Sequence, residues 1–164
     1  MKQVTGELID QLAARAASAA RRRVNHNVHE HPSDPVQRLF VAAMRDSYFR
    51  PHRHEGKGEF ALVLRGFFDV VIFDATGRVT ERLRVGPSTG VDGFDMPAGA
   101  WHSWVPGEDG SVFFEVKQGP YDPATASEFA PWAPAENTPE APVFLEWLRR
   151  AAAGERAPQQ GAEE

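Results

Sequence analysis

The sequence predicts an all-β barrel or sandwich with a helix flanking it at each end. Three observations carry that expectation. Between Ser47 and Gln118, short apolar runs rich in Phe and Val alternate with Gly-containing turns. On either side, apolar residues recur at helical spacing. The chain has 164 residues, 41% of them hydrophobic, which suffices for one packed domain without staples.

In chain order, Leu8, Ile9, Leu12, Ala13, Ala16 and Ala20 mark a first helix, closed by Arg21-Arg22-Arg23 as a solvated basic end against the helix dipole. Val24 to His31 alternates as a strand, with Asn25, Asn27 and His29 on one face. Ser33-Asp34-Pro35 reads as a helix start followed by Val36, Leu39, Phe40 and Ala43, with a strand as the alternative. Phe60 to Leu64 and Phe67 to Phe73 are strands, and Asp74 to Gly77 is a hairpin turn leading into Val79 to Val85. Pro97-Ala98-Gly99 and Glu108-Asp109-Gly110 are further turns, the second opening a strand over Val112 to Val116. A Pro-rich stretch from Gly119 to Pro142, with Phe129 and Trp132, is expected to wrap the barrel; Val143, Phe144, Trp147 and Leu148 then form a short helical face. The expected organisation is an N-terminal helix and arm (1–32), a barrel (33–118), a Pro-rich wrap and C-terminal helix (119–153) and a disordered polar tail (154–164).

Composition excludes several functions. Without Cys there is no disulfide, thiolate ligand or Cys nucleophile, which fits a reducing cytoplasm. A net charge of -5 argues against a nucleic-acid partner. No stretch spans a bilayer, the N-terminus lacks a signal peptide's apolar run, and no G-x-S-x-G elbow, P-loop or G-x-G-x-x-G is present.

The chemistry concentrates in His52-x-His54-x4-Glu59-x6-Gly66, followed by Pro97-x-Gly99-x2-His102. Side chains alternate along a strand, so His52 and His54 share a face, together with Tyr48 and Arg50. The turn Glu55-Gly56-Lys57-Gly58 returns Glu59 beside them, and His102 arrives from another strand. Three imidazoles and a carboxylate can close around one divalent transition metal ion, Fe, Mn, Zn or Ni, leaving positions for water or substrate. The competing reading is a set of hydrogen-bonded His in a barrel without metal. His29-Glu30-His31 repeats the H-x-H spacing without a carboxylate at hairpin distance, so it reads as loop or cap.

These two motifs resemble those of the cupins. The closer resemblance is to the WbuC family of cupin-fold metalloproteins, carried by 23–29, 35–39, 47–54 and 113–123 and covering roughly residues 20 to 135. It implies an all-β double-stranded β-helix, a jelly-roll barrel, with His52, His54, Glu59 and His102 as metal ligands, and a homodimer by analogy. The chain departs from the cupin pattern at Asp46, Val91 and Pro106, where the motifs usually carry Gly, Gly and Asn.

Around the metal, Glu115, Tyr48 and Lys117 are candidate acid/base groups; a structural ion pair is the other reading of Glu115 and Lys117. Arg50 would bind an anionic ligand or lie at the rim, Asn25, Asn27 and His29 would edge the mouth, and Trp104 would wall the pocket or fill the core. Two functions compete: a metal-dependent enzyme of isomerase, epimerase or dioxygenase type acting on a small polar molecule such as a sugar or sugar acid, and a non-catalytic binding or sensor module whose metal anchors a small ligand.

Overall fold

The computed structural model describes residues 1–158. Thr5 caps the first helix, α1 (Gly6–Ser18), by accepting a hydrogen bond from the Leu8 N–H at 3.2 Å. Ten strands follow: β1 (Arg23–Asn27), β2 (Val36–Ala43), β3 (His52–Arg53), β4 (Glu59–Arg65), β5 (Phe68–Phe73), β6 (Val79–Val85), β7 (Gly93–Met96), β8 (Trp101–Pro106), β9 (Ser111–Gln118) and β10 (Glu128–Phe129). The second helix, α2 (Glu140–Arg150), closes the order.

The strands form two five-stranded antiparallel sheets, ordered β1-β2-β9-β4-β7 and β10-β3-β8-β5-β6. Alternation sends one face of each sheet inward, where Leu39, Val41, Ala61, Val63 and Phe113 of the first meet Phe68, Val70 and Trp104 of the second. This is the expected all-β jelly roll with flanking helices. The outer face of the first sheet is covered by α1, whose Ile9, Leu12 and Ala16 pack on Phe40, Ala42 and Val112. The outer face of the second is covered by α2, whose Phe144, Leu145 and Leu148 join Val71, Phe73, Val79 and Trp101. Arg82 of β6 satisfies the end of α2: its guanidinium donates to the carbonyls of Leu148 (2.7 Å) and Arg149 (2.9 Å) and pairs with buried Asp69 (2.8 Å).

Four expectations are corrected. The helix expected after Pro35 is strand β2, paired on both sides with β1 and β9. Its outward residues Phe40 and Ala42 lie beneath α1, so both faces are apolar and the strand alternation is masked. Asp34, expected as a helix cap, accepts from the N–H groups of Glu30 (2.9 Å) and His31 (3.4 Å) within its own loop. The basic run is not a solvated helix end, because α1 stops at Ser18 and Arg21 and Arg23 pair with Glu136 at 2.7 and 2.5 Å. Val143 is 72% exposed; the apolar face of α2 is Ala141, Phe144, Leu145, Trp147 and Leu148.

The Pro-rich stretch lies along the second sheet, with β10 paired to β3 and Trp132 flat against Gly77. Gly77 takes φ +81, and a Cβ there would sit 2.8 Å from the Trp132 ring. Of the tail expected to be disordered, 159–164 lie outside the described residues. Residues ahead of them are ordered: Gly154 N–H donates to Val79, Ala157 N–H donates to Gly77 (2.8 Å each), and Ala157 is buried. Among the described residues no helix is long and apolar enough to cross a membrane.

Candidate metal centre

Both sheets contribute to the centre. In the second sheet His52 of β3 lies directly opposite His102 of β8, with ring centroids 4.5 Å apart. His54 follows β3 by one residue, and its ring centroid is 5.0 Å from that of His52. Its backbone carbonyl accepts from Gly99 N–H at 2.9 Å, which ties the Pro97–Gly99 turn of the second motif to the first. Glu59 comes from the first sheet, at the start of β4, with Lys117 and Met96 as cross-strand neighbours. One ring nitrogen from each of the three His lies within 4.8 Å of the others. The Glu59 carboxylate lies 3.2 Å from Nε2 of both His54 and His102.

The backbone decides which nitrogen is available. Nδ1 of His52, His54 and His102 faces the carbonyls of Arg50 (2.9 Å), Ala126 (2.5 Å) and Ala100 (2.9 Å). A carbonyl only accepts, so each Nδ1 carries the proton and each neutral ring turns an Nε2 lone pair elsewhere. Nε2 of His54, Nε2 of His102 and both Glu59 oxygens are buried and have no hydrogen-bond partner among the described residues. These are acceptors facing acceptors, an arrangement that a positive charge among them resolves. The Glu59 carboxylate draws positive charge to this point. Burial opposes charge on His102, yet the Glu59 carboxylate outweighs it and raises the imidazole's pKa. Burial would raise Glu59, but His102 and His54 hold its carboxyl well below the usual range. His52 is pushed well down by burial and then by the neighbouring imidazoles. A set of nitrogen donors with one carboxylate, a backbone carbonyl accepting from each Nδ1 and orphaned acceptors fits a divalent transition metal.

A cavity of about 650 Å³ opens over the centre. Its walls include Asn25, Asn27 and His29 from the arm and Arg50, Trp104, Glu115 and Lys117 from the barrel, all singled out by the sequence. Lys117 bridges two carboxylates, 2.7 Å from Glu115 and 3.7 Å from Glu59. Burial pushes Glu115 up; Lys117 is held above its ordinary value by the two carboxylates, against burial. Trp104 stacks on Phe113 with centroids 4.0 Å apart, so it is core and cavity floor at once. His29 spends Nδ1 on the backbone of Arg38, 3.0 Å from its N and 2.9 Å from its O.

Tyr48 does not join this site. It is buried against α2, beside Phe144, and donates its hydroxyl to the Pro134 carbonyl at 3.0 Å; burial raises its pKa. Parity fails because the chain is irregular from Met44 to Pro51, and Phe49 lines the cavity instead. Ser127, Phe129 and Glu136 of the Pro-rich segment also line it, as do Arg21 and Arg23. Sequence reasoning missed these because the segment has no periodicity. An available signal was Glu136, the acid that ends the apolar run Phe129 to Ala135, as a partner for the arginine run.

The family model of a domain of unknown function, DUF6016, matches residues 4–85, half of the chain. No curated protein matches in sequence. Among solved structures, oxalate decarboxylase from Bacillus subtilis is similar at 20% identity over 86% of this chain, with a TM-score of 0.52; the chain spans 38% of that protein. The DMSP lyase DddQ from Ruegeria pomeroyi DSS-3 is similar at 18% identity over 70% of this chain and 54% of its own, with a TM-score of 0.52. A cupin 2 conserved barrel domain protein from Rhodopseudomonas palustris is similar at 14% identity over 65% of this chain and 66% of its own, with a TM-score of 0.50. These likenesses show the fold, a cupin barrel.

Proposed function

For a chain that belongs to the DUF6016 domain family and folds as a cupin barrel, we propose a metal-dependent enzyme acting on a small polar molecule of the sugar or sugar-acid kind. One observation carries the metal: the buried, unpartnered Nε2 atoms of His54 and His102 facing both unpartnered oxygens of Glu59. His52, His54, Glu59 and His102 would hold the ion, which supplies Lewis acidity, with redox chemistry added where it is iron. The narrower likeness to WbuC metalloproteins rests on the motifs alone.

Catalysis is favoured over passive binding by what the chain places beside the ligands. Glu115 lies on the cavity wall, bridged by Lys117 to Glu59, where it can accept a proton from a bound substrate and return it. Lys117 lies between the two carboxylates and offsets their mutual repulsion. Asn25 and Asn27 offer amide donors and acceptors for hydroxyl groups.

Elemental analysis tests this on full-length protein purified without chelators, compared with a His52→Ala/His102→Ala double variant. About one transition metal ion per wild-type chain and none in the variant is expected. Equal metal in both would overturn the proposal. Iron would favour oxygen chemistry, whereas zinc or redox-silent manganese would favour isomerase, epimerase or lyase chemistry.

A further inference from the structure

Among the described residues, two cations on the cavity walls lack a carboxylate: Arg15, exposed on α1, and Arg50, the only one of the two with a buried, unpartnered donor. Arg21 and Arg23 are committed to Glu136, and Lys117 to Glu115 and Glu59. Arg50 donates from Nη2 to the Ala130 carbonyl at 3.1 Å and lies over the Phe129 ring, 5.2 Å from its centroid. Its Nε is buried and has no hydrogen-bond partner. A guanidinium is always charged and carries five donors, and Nε–H with the adjoining N–H forms a fork matched to two oxygens of one anion. A permanent cation on the cavity wall, with a donor that no described group satisfies, is a place for an oxyanion.

Resting on the reading of this cavity as a substrate site, we propose that Arg50 is an oxyanion clamp and that the substrate is a small hydroxylated acid. Its carboxylate or phosphate docks on the Arg50 fork while its hydroxyls reach the metal centre. The clamp is tied to that centre through the backbone, since the Arg50 carbonyl receives the His52 Nδ1–H at 2.9 Å. Phe129 supports the guanidinium from one face and leaves its edge for the anion. Asn25, Asn27 and Ser127 supply the polar wall that a polyhydroxy chain or ring requires.

Calorimetric titration of the purified full chain tests this with glucuronate, galacturonate, glucose 6-phosphate and neutral methyl glucoside. At least one anion should bind, methyl glucoside should not, and Arg50→Gln should weaken the anion by about 10- to 100-fold. Binding confined to the uronates assigns a carboxylate; binding confined to the sugar phosphate assigns a phosphate. Equal affinity of wild type and Arg50→Gln, equal binding of methyl glucoside, or no anion binding at all would overturn the clamp. Should Arg50→Gln not fold, Arg50→Lys carries the test, because it keeps the charge but loses the fork; unchanged affinity there also overturns it. Metal content is measured on the same samples. A metal-free wild type would sink the metal centre while leaving the anion test intact.

Discussion

Replacing Glu59 by Gln keeps the shape of the side chain and removes its charge. Both Glu59 oxygens are buried without a hydrogen-bond partner among the described residues, 3.2 Å from Nε2 of His54 and of His102, so on the proposed reading the anion balances a cation. Partners one shell further out typically change metal affinity by about 10- to 100-fold, so loss of an anionic ligand should reach about 100-fold. Metal at about 100 times its Kd stabilises a protein by about 2.7 kcal/mol; at the same concentration a 100-fold weaker site retains about 0.4 kcal/mol. For a chain of 164 residues this converts to a metal-induced rise in Tm of about 5–11 °C in wild type and about 1–2 °C in Glu59→Gln. The assay is a thermal melt of each protein with and without the metal identified by elemental analysis. Each protein is its own reference, so a changed apo baseline drops out. A metal-induced shift in Glu59→Gln as large as in wild type would show that the carboxylate is not a ligand.

Two further predictions concern the outer packing. Arg82→Met keeps the aliphatic stem but removes the bonds to Leu148, Arg149 and Asp69, and should lower stability by about 2–3 kcal/mol. A Tm within a degree of wild type would mean that α2 does not depend on this cap. In acid, Asp69 should contribute a pH dependence. Burial would raise its carboxyl, but hydrogen bonds from Arg84 and Arg82 hold it below the ordinary value. The unfolded chain therefore takes up the proton first, near pH ~4, and stability falls as the pH drops from there through the folded value. Asp69→Asn should flatten that part of the acid limb in pH-dependent melts; parallel limbs would refute the assignment.

The part of the fold legible in the sequence is the part that local turn residues bracket. The Asp74 to Gly77 turn gave away β6 (Val79–Val85), which pairs back on β5. β2 was not legible because α1 covers its outer face, so an extended strand carries apolar residues on both sides and imitates a buried helix. Tyr48 was misplaced for a related reason. Strand parity was carried through Met44 to Pro51, where the chain is not a strand, although it held from His52 to His54. The Pro-rich segment carries no period at all, yet its Ala126 carbonyl fixes the His54 ring and its Phe129 supports Arg50. Such contacts bridge more than seventy residues of sequence, and no local pattern reports them.

The two H-x-H pairs show what spacing omits. His29 and His52 are both largely withdrawn from water and both have Nδ1 against a backbone group. The Arg38 N–H lies 3.0 Å from Nδ1 of His29, so that ring is built into the β1–β2 connection. His52, by contrast, has its partner His102 directly across the ladder, and the opposite sheet delivers Glu59 to the same point. On the proposed reading, ligand character is a property of two sheets meeting. The second sheet aligns His52 with His102, and backbone carbonyls, one of them from the Pro-rich segment, accept from and so keep the proton on each Nδ1; the first sheet brings an anion that no donor satisfies. Either half alone would be structural. The likeness between the motifs lies in their sequence, and the difference lies in what each lone pair faces.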